Sequence, residues 1–102
     1  MAREAVLNWA LAEVRRIVCE ALAGRDAAVF LFGSFADGSE RRTSDIDVAI
    51  DAGAPLPPIL LAAIRDALEE STVPRRVDVI DLATVPPEWR ARIRAEGVRW
   101  RG

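Results

Sequence analysis

Ala27-Ala28-Val29-Phe30-Leu31-Phe32-Gly33-Ser34 and, after ten intervening residues, Asp45-Ile46-Asp47-Val48-Ala49-Ile50 decide how this chain folds. The first is a short, continuous apolar run bounded by charge before it and glycine after it. That is the pattern of a strand buried on both faces. The second alternates strictly, which predicts another strand with Ile46, Val48 and Ile50 turned to the core. The residues between, from Gly33 to Ser44, are rich in turn formers and charge and predict a loop or a short irregular helix.

Working outward, residues 2–23 carry Val6, Ala10, Val14, Ile17 and Ala21 at helical spacing, flanked by Leu7, Leu11, Val18 and Leu22. This wide apolar stripe predicts an amphipathic helix that stops at Gly24. Asp51 to Pro58 reads as a Gly/Pro-rich connection. Ile59 to Ser71 reads as a second helix with Leu60, Ile64, Ala67 and Leu68 inward, ending before Pro74. Val77 to Leu82 is a third strand, and Pro86-Pro87 opens a helix reaching about Glu96, where Gly97 breaks it. Val98 and Trp100 fit a short final strand. The expected fold is a small mixed α/β (α+β) domain over residues 1–102, with helices packed on a three- to four-stranded sheet.

Composition narrows the chemistry. Of 102 residues, 51% are apolar. A chain of about this size buries roughly two thirds of its unfolded surface, enough for one core without disulfides. Cys19, the only cysteine, is expected in that core. There is no histidine, tyrosine or lysine. That excludes a Ser-His-Asp triad, Schiff-base chemistry and a lysine-bearing phosphate loop, and it makes a zinc site improbable. Carboxylates, hydroxyls, arginines and backbone amides remain, and carboxylates with hard cations are the natural combination among them. The net charge of −2 gives no global pull toward nucleic acid or an anionic membrane. The segment from Pro86 is nonetheless arginine-rich, fitting a solvated helix face or a contact surface. No apolar run is long enough to span a bilayer, so a cytoplasmic protein is expected.

Asp45 and Asp47 stand two apart on a strand, so both project from one face, roughly 7 Å apart. Alone, such a pair also fits an exposed, solubilising sheet face. Asp78, between Val77 and Val79, projects in the same manner from another strand. If the strands are neighbours, ~4.8 Å apart, three carboxylates converge on one point. That set is unfavourable without metal and well matched to Mg²⁺. Asp81 competes for the third place but has the opposite strand parity, and Asp51 borders the loop. Gly33-Ser34 follows a buried strand, where glycine lets amides approach an anion and serine can donate to phosphate, although a capped turn fits it equally. Trp9, Trp89 and Trp100 could line a base pocket, but core packing is the expectation for each.

Together, Phe32-Gly33-Ser34, the ten-residue spacer, Ser44-Asp45-Ile46-Asp47 and Val77-Asp78-Val79 resemble the DNA-polymerase-beta-type nucleotidyltransferases. The resemblance covers nearly the whole chain, including the closing segment from Ile93 to Val98. The length points to the minimal nucleotidyltransferases, often encoded as the antitoxin beside a HEPN-domain toxin. The resemblance implies that Asp45, Asp47 and Asp78 are the catalytic carboxylates and hold two Mg²⁺ ions. Gly33 and Ser34 would hold the phosphates of ATP. Many minimal members carry an arginine just after Gly-Ser and often another before the next glycine; here Phe35 and Asp37 hold those places, and Arg41 and Arg42 are candidates for the missing charge. The implied reaction is AMP transfer to a hydroxyl, with a tyrosine of a HEPN-type toxin as acceptor in a hetero-oligomer. No nucleic acid or membrane partner is implied. A catalytically silent antitoxin acting by contact is the alternative. A small-molecule, antibiotic-type transferase is a third reading.

Overall fold

The computed structural model describes residues 3–39 and 44–102. A four-stranded mixed sheet runs in the order β3-β2-β1-β4, formed by β1 (Ala28–Phe32), β2 (Ile46–Asp51), β3 (Val77–Asp81) and β4 (Val98–Arg101). β1 is antiparallel to both its neighbours, whereas β2 and β3 are parallel. A parallel pair needs a crossover, and helix α3 (Pro58–Glu69) supplies it. The other helices are α1 (Arg3–Ala21), the single turn α2 (Ser34–Asp37) and α4 (Pro87–Glu96). Proline fills the first turn of both α3 and α4, where its missing N–H costs nothing.

The two faces of the sheet are unlike. On one, Val29, Leu31, Ile46, Val48, Ile50 and Val79 pack against Val14 and Val18 of α1, Leu22 just after it, and Ile64 and Leu68 of α3. The other face has a smaller buried group, in which Leu82 and Ile93 of α4 cover Phe30 and Ala49. Phe32, Asp47 and Asp78 lie on this second face and stay only partly buried. Gly97 lets α4 turn straight into β4: a Cβ there would stand 2.6 Å from the Ile93 carbonyl oxygen and 3.1 Å from that of Leu31.

Several expectations shift. The buried stripe of α1 is Leu7, Ala10, Val14 and Val18, continued by Leu22 just after the helix, with Ile17 half-buried and Ala21 exposed. Ala67 of α3 is exposed as well. A methyl side chain gains little from burial, so the larger Leu, Ile and Val side chains set each helix's rotation. Trp9 and Trp89 are not core residues, being 46% and 60% exposed. Cys19 and Trp100 are half-buried. The arginines after Pro86 are tied internally: Arg90 donates to the Leu82 carbonyl at 2.9 Å, Arg101 to that of Arg25 at 2.8 Å, and Arg94 pairs with Asp51. Among the described residues no helix is long and apolar enough to cross a membrane.

Candidate active site

β1 ends at Phe32, and Gly33 follows with φ 73° and ψ −152°, a region open essentially to glycine alone. A second constraint acts on the same residue. A Cβ at position 33 would run into Oδ2 of Asp47 and lie 3.3 Å from its Cγ. The backbone at Gly33 therefore lies against the Asp47 carboxylate, and α2 begins at once, with the Ala36 and Asp37 amides donating to the Gly33 carbonyl at 3.0 and 3.2 Å. The expected irregular segment after Gly33 thus contains one helical turn.

The register brings the acids together. Asp47 pairs with Phe32 on one side and with Asp78 on the other. Asp78-Asp47-Phe32 is thus one row across the sheet, all on the face that α4 leaves half-covered. β2 begins at Ile46, so Asp45 stands just before the strand rather than inside it. It is held near the row because the Ile46 amide donates to the Arg76 carbonyl at 2.9 Å and Arg75 donates to the Ser44 carbonyl at 3.1 Å. Burial pushes the Asp47 carboxyl above its ordinary range, and the charges of Asp78 and Asp45 push it the same way. Arg76 partly offsets Asp78, with Nε 3.3 Å from Oδ1.

As they stand, no three acidic or thiol side chains among the described residues are grouped closely enough to hold a metal ion. The donor set nonetheless fits Mg²⁺. It consists of hard carboxylate oxygens, mutually repelling, at a half-open position on a rigid sheet. A cation is the group that relieves this load. A groove of about 930 Å³ runs past Asp47 and Asp78 and is flanked by Arg75, Arg76, Phe32 and Trp89. Its volume lies within the range of small-ligand sites.

The other acids have structural duties. Asp81 is buried, accepting the Leu56 amide at 2.8 Å and the Ala83 amide at 3.0 Å, so it pins the connection before α3 to the end of β3. Its opposite parity had already set it apart. Asp51 shares the parity of Asp47, but pairs with Arg94 at the far end of the strand. Arg41 and Arg42 lie outside the described residues. Asp37 accepts the Ser39 amide at 2.9 Å and its hydroxyl, and those bonds hold its carboxyl below the usual range.

Two residues at the site escaped sequence reasoning. Arg75 stacks over the Phe35 ring, 5.5 Å from its centroid. It brings a guanidinium from the start of β3 to the position after Gly33-Ser34 that lacks one in the chain. Arg76 sits beside Asp78, and the adjacent pair Arg75-Arg76 ahead of Val77-Asp78 was the available signal. Trp89, weighed in the sequence for a base pocket against core packing, lies at this groove and is largely exposed.

Comparison with known proteins agrees with this geometry. Residues 25–99 match the family model described as polymerase beta, nucleotidyltransferase. A Haemophilus influenzae protein named "Probable protein adenylyltransferase MntA" is 38% identical over 69 residues, covering 68% of this chain and 60% of its own length. A solved structure described as a "putative minimal nucleotidyltransferase" superposes with a TM-score of 0.69 at 28% identity, covering 86% of this chain and 90% of that one. A chain of a toxin–antitoxin crystal structure with AMP-PNP superposes with a TM-score of 0.68 at 25% identity, covering 86% of this chain and 73% of that one.

Proposed function

The chain belongs to the polymerase beta nucleotidyltransferase family, and from that premise we propose that it moves AMP from ATP to a hydroxyl of a partner protein. The acceptor in this reading is a tyrosine of a HEPN-type toxin, which the modification silences. The observation that carries the proposal is the row in which Asp47 and Asp78 are register partners while the Gly33 backbone lies against the Asp47 carboxylate. The name of the Haemophilus influenzae relative and the AMP-PNP of the toxin–antitoxin structure support the choice of AMP and of a toxin. Those are statements about those proteins, and the chain spans 60% of the length of the curated relative.

In this mechanism Asp45, Asp47 and Asp78 would hold Mg²⁺, which supplies positive charge against the triphosphate and eases ionisation of the acceptor hydroxyl. The Gly33 amide and the Ser34 hydroxyl bind the β and γ phosphates, and the missing Cβ of Gly33 lets the Asp47 carboxylate stand close beside them. The acceptor oxygen forms a bond to the α-phosphorus as the bond to the bridging oxygen breaks, and pyrophosphate leaves. Asp78, on the edge strand β3 at the end of the row, takes the hydroxyl proton. Rigid placement of these groups on adjacent strands does most of the work, since phosphoryl chemistry asks chiefly for position and charge.

The test is incubation of the chain with Mg²⁺, ATP labelled at the α-phosphate and the product of the neighbouring gene. This chain has no tyrosine, so label found on a tyrosine is on the partner. Label with the native chain and none with Asp47→Asn supports the proposal. A partner neutralised without label, and equally by Asp47→Asn, replaces it with an antitoxin that acts by contact alone.

A further inference from the structure

A second cavity adjoins the acidic groove. It has a volume of about 280 Å³ and lies between α2 and α4, walled by Phe32, Gly33, Ala36, Trp89, Ile93 and Gly97. Phe32 and Trp89 also flank the groove that holds Asp47 and Asp78, so the two spaces meet at those aromatic side chains. The cavity is small for a whole nucleotide and lies at the low end of small-ligand sites. Its wall is chiefly apolar, and of the charged side chains that line it Arg92 is paired with Glu96 at 3.0 Å while Asp37 adds a further acid, so the cavity suits an uncharged group better than phosphate.

Trp89 is the unusual part. An indole 60% exposed in the first turn of a helix leaves its ring in water beside a nucleotide-sized groove. Exposed aromatic faces at such a position are what nucleobases stack on. Gly33, proposed above to bind the phosphates, also lines this cavity.

We propose that this cavity seats the base of the bound nucleotide, with Trp89 as the stacking face and Phe32 and Ile93 as the apolar floor. The inference rests on the nucleotidyl-transfer reading and adds the part of the substrate that the carboxylates do not touch. Nucleotide is then held at two points, phosphates at Gly33-Ser34 and base at Trp89, with the α-phosphate carried between them to the acidic row.

The test compares AMP-PNP with inorganic tripolyphosphate, both in Mg²⁺, by equilibrium titration of the native chain, Trp89→Ala and Trp89→Phe. Because Trp89 is largely in water, both variants are expected to fold. The expected result is a loss of AMP-PNP affinity of about tenfold in Trp89→Ala, the size of one lost base stack. Tripolyphosphate affinity should be unchanged, and Trp89→Phe should restore most of the loss. Equal AMP-PNP affinity in the native chain and Trp89→Ala overturns the base pocket while leaving the transferase reading intact. So does an equal fall for AMP-PNP and tripolyphosphate, which would place Trp89 on the phosphates instead. A native chain that binds neither ligand overturns both this inference and the transferase reading.

Discussion

The two faces of the sheet are made from the same strands and have opposite fates. Toward α1 and α3, β2 presents Ile46, Val48 and Ile50, all fully buried. Toward α4 it presents Asp47, Ala49 and Asp51, of which only Ala49 is fully buried. The apolar face releases the solvation free energy that folds the domain. The other face bears like charges that the fold tolerates because the first face is complete. Even within that second face the ends differ. Asp51 is neutralised by Arg94 of α4, whereas Asp47, roughly 13 Å along the strand, faces other carboxylates and is left half-open. Stability and chemistry are thus separated by strand parity, and charge compensation is only partial, through Arg76 on Asp78, at the end where a cation and a nucleotide are proposed to enter.

The sharpest way to break this division is to neutralise Asp47. Asp47→Asn is expected to lower AMP transfer on the order of a thousandfold, the scale on which one preorganised electrostatic contact contributes. Its metal-free melting temperature should stay level or rise. A fall in stability matching the fall in activity would mean that the acid row also holds the fold. The converse substitution, Ile64→Ala, removes a fully buried side chain between α3 and the sheet. About 3 kcal/mol of stability should be lost, with kcat of the folded fraction nearly unchanged.

Arg75→Ala joins the two regions, because Arg75 ties Ser44 to the start of β3 and covers Phe35. A loss of about tenfold in kcat/KM for ATP is expected, from one cation contact and looser placement of Asp45. Arg75→Lys should recover only part of it, since a lysine cannot reproduce the planar stack.

The smallest effect is that of pH on the metal-free chain. The folded carboxyl of Asp47 titrates above its unfolded value. Its unfavourable contribution is therefore absent below the unfolded pKa, grows as pH rises through the carboxylate range, and is complete above the folded pKa. Asp37 has the opposite sign: its bonds to Ser39 contribute above its unfolded pKa and are lost as pH falls through the lowered folded value. The difference between native and Asp47→Asn denaturation profiles isolates the first contribution. It should be under about 1 kcal/mol, since Asp47 is partly screened by solvent, and Mg²⁺ should abolish it.

Much of this was legible in the sequence. Alternation in Asp45–Ile50 separated the two faces, and opposite parity set Asp81 apart from Asp78. The spacing from Gly33-Ser34 to Asp45 and Asp47 named the site. What escaped depends on contacts between distant segments. No local pattern says that Arg75 will reach Phe35, or that Arg94 will find Asp51 across a separation of 43 residues. Trp89 and Ile93 share a helical stripe, yet only Ile93 meets the sheet, because α4 covers just part of that face. Helical spacing alone does not say which flank of a wide stripe turns inward, so α1 buries Leu7, Val14 and Val18 while Ala21 is exposed.

The most direct test of the central claim needs no partner. Thermal unfolding of the native chain, Asp47→Asn and Asp78→Asn would be followed with AMP-PNP, with and without Mg²⁺. Ligand at tens of times its Kd stabilises by about 2 kcal/mol, which in a domain of this size raises Tm by roughly ten degrees. The account expects that rise for the native chain only when Mg²⁺ and nucleotide are both present, and little or none for either variant. Equal shifts in all three proteins would contradict it, because the nucleotide would then be bound without the acidic row.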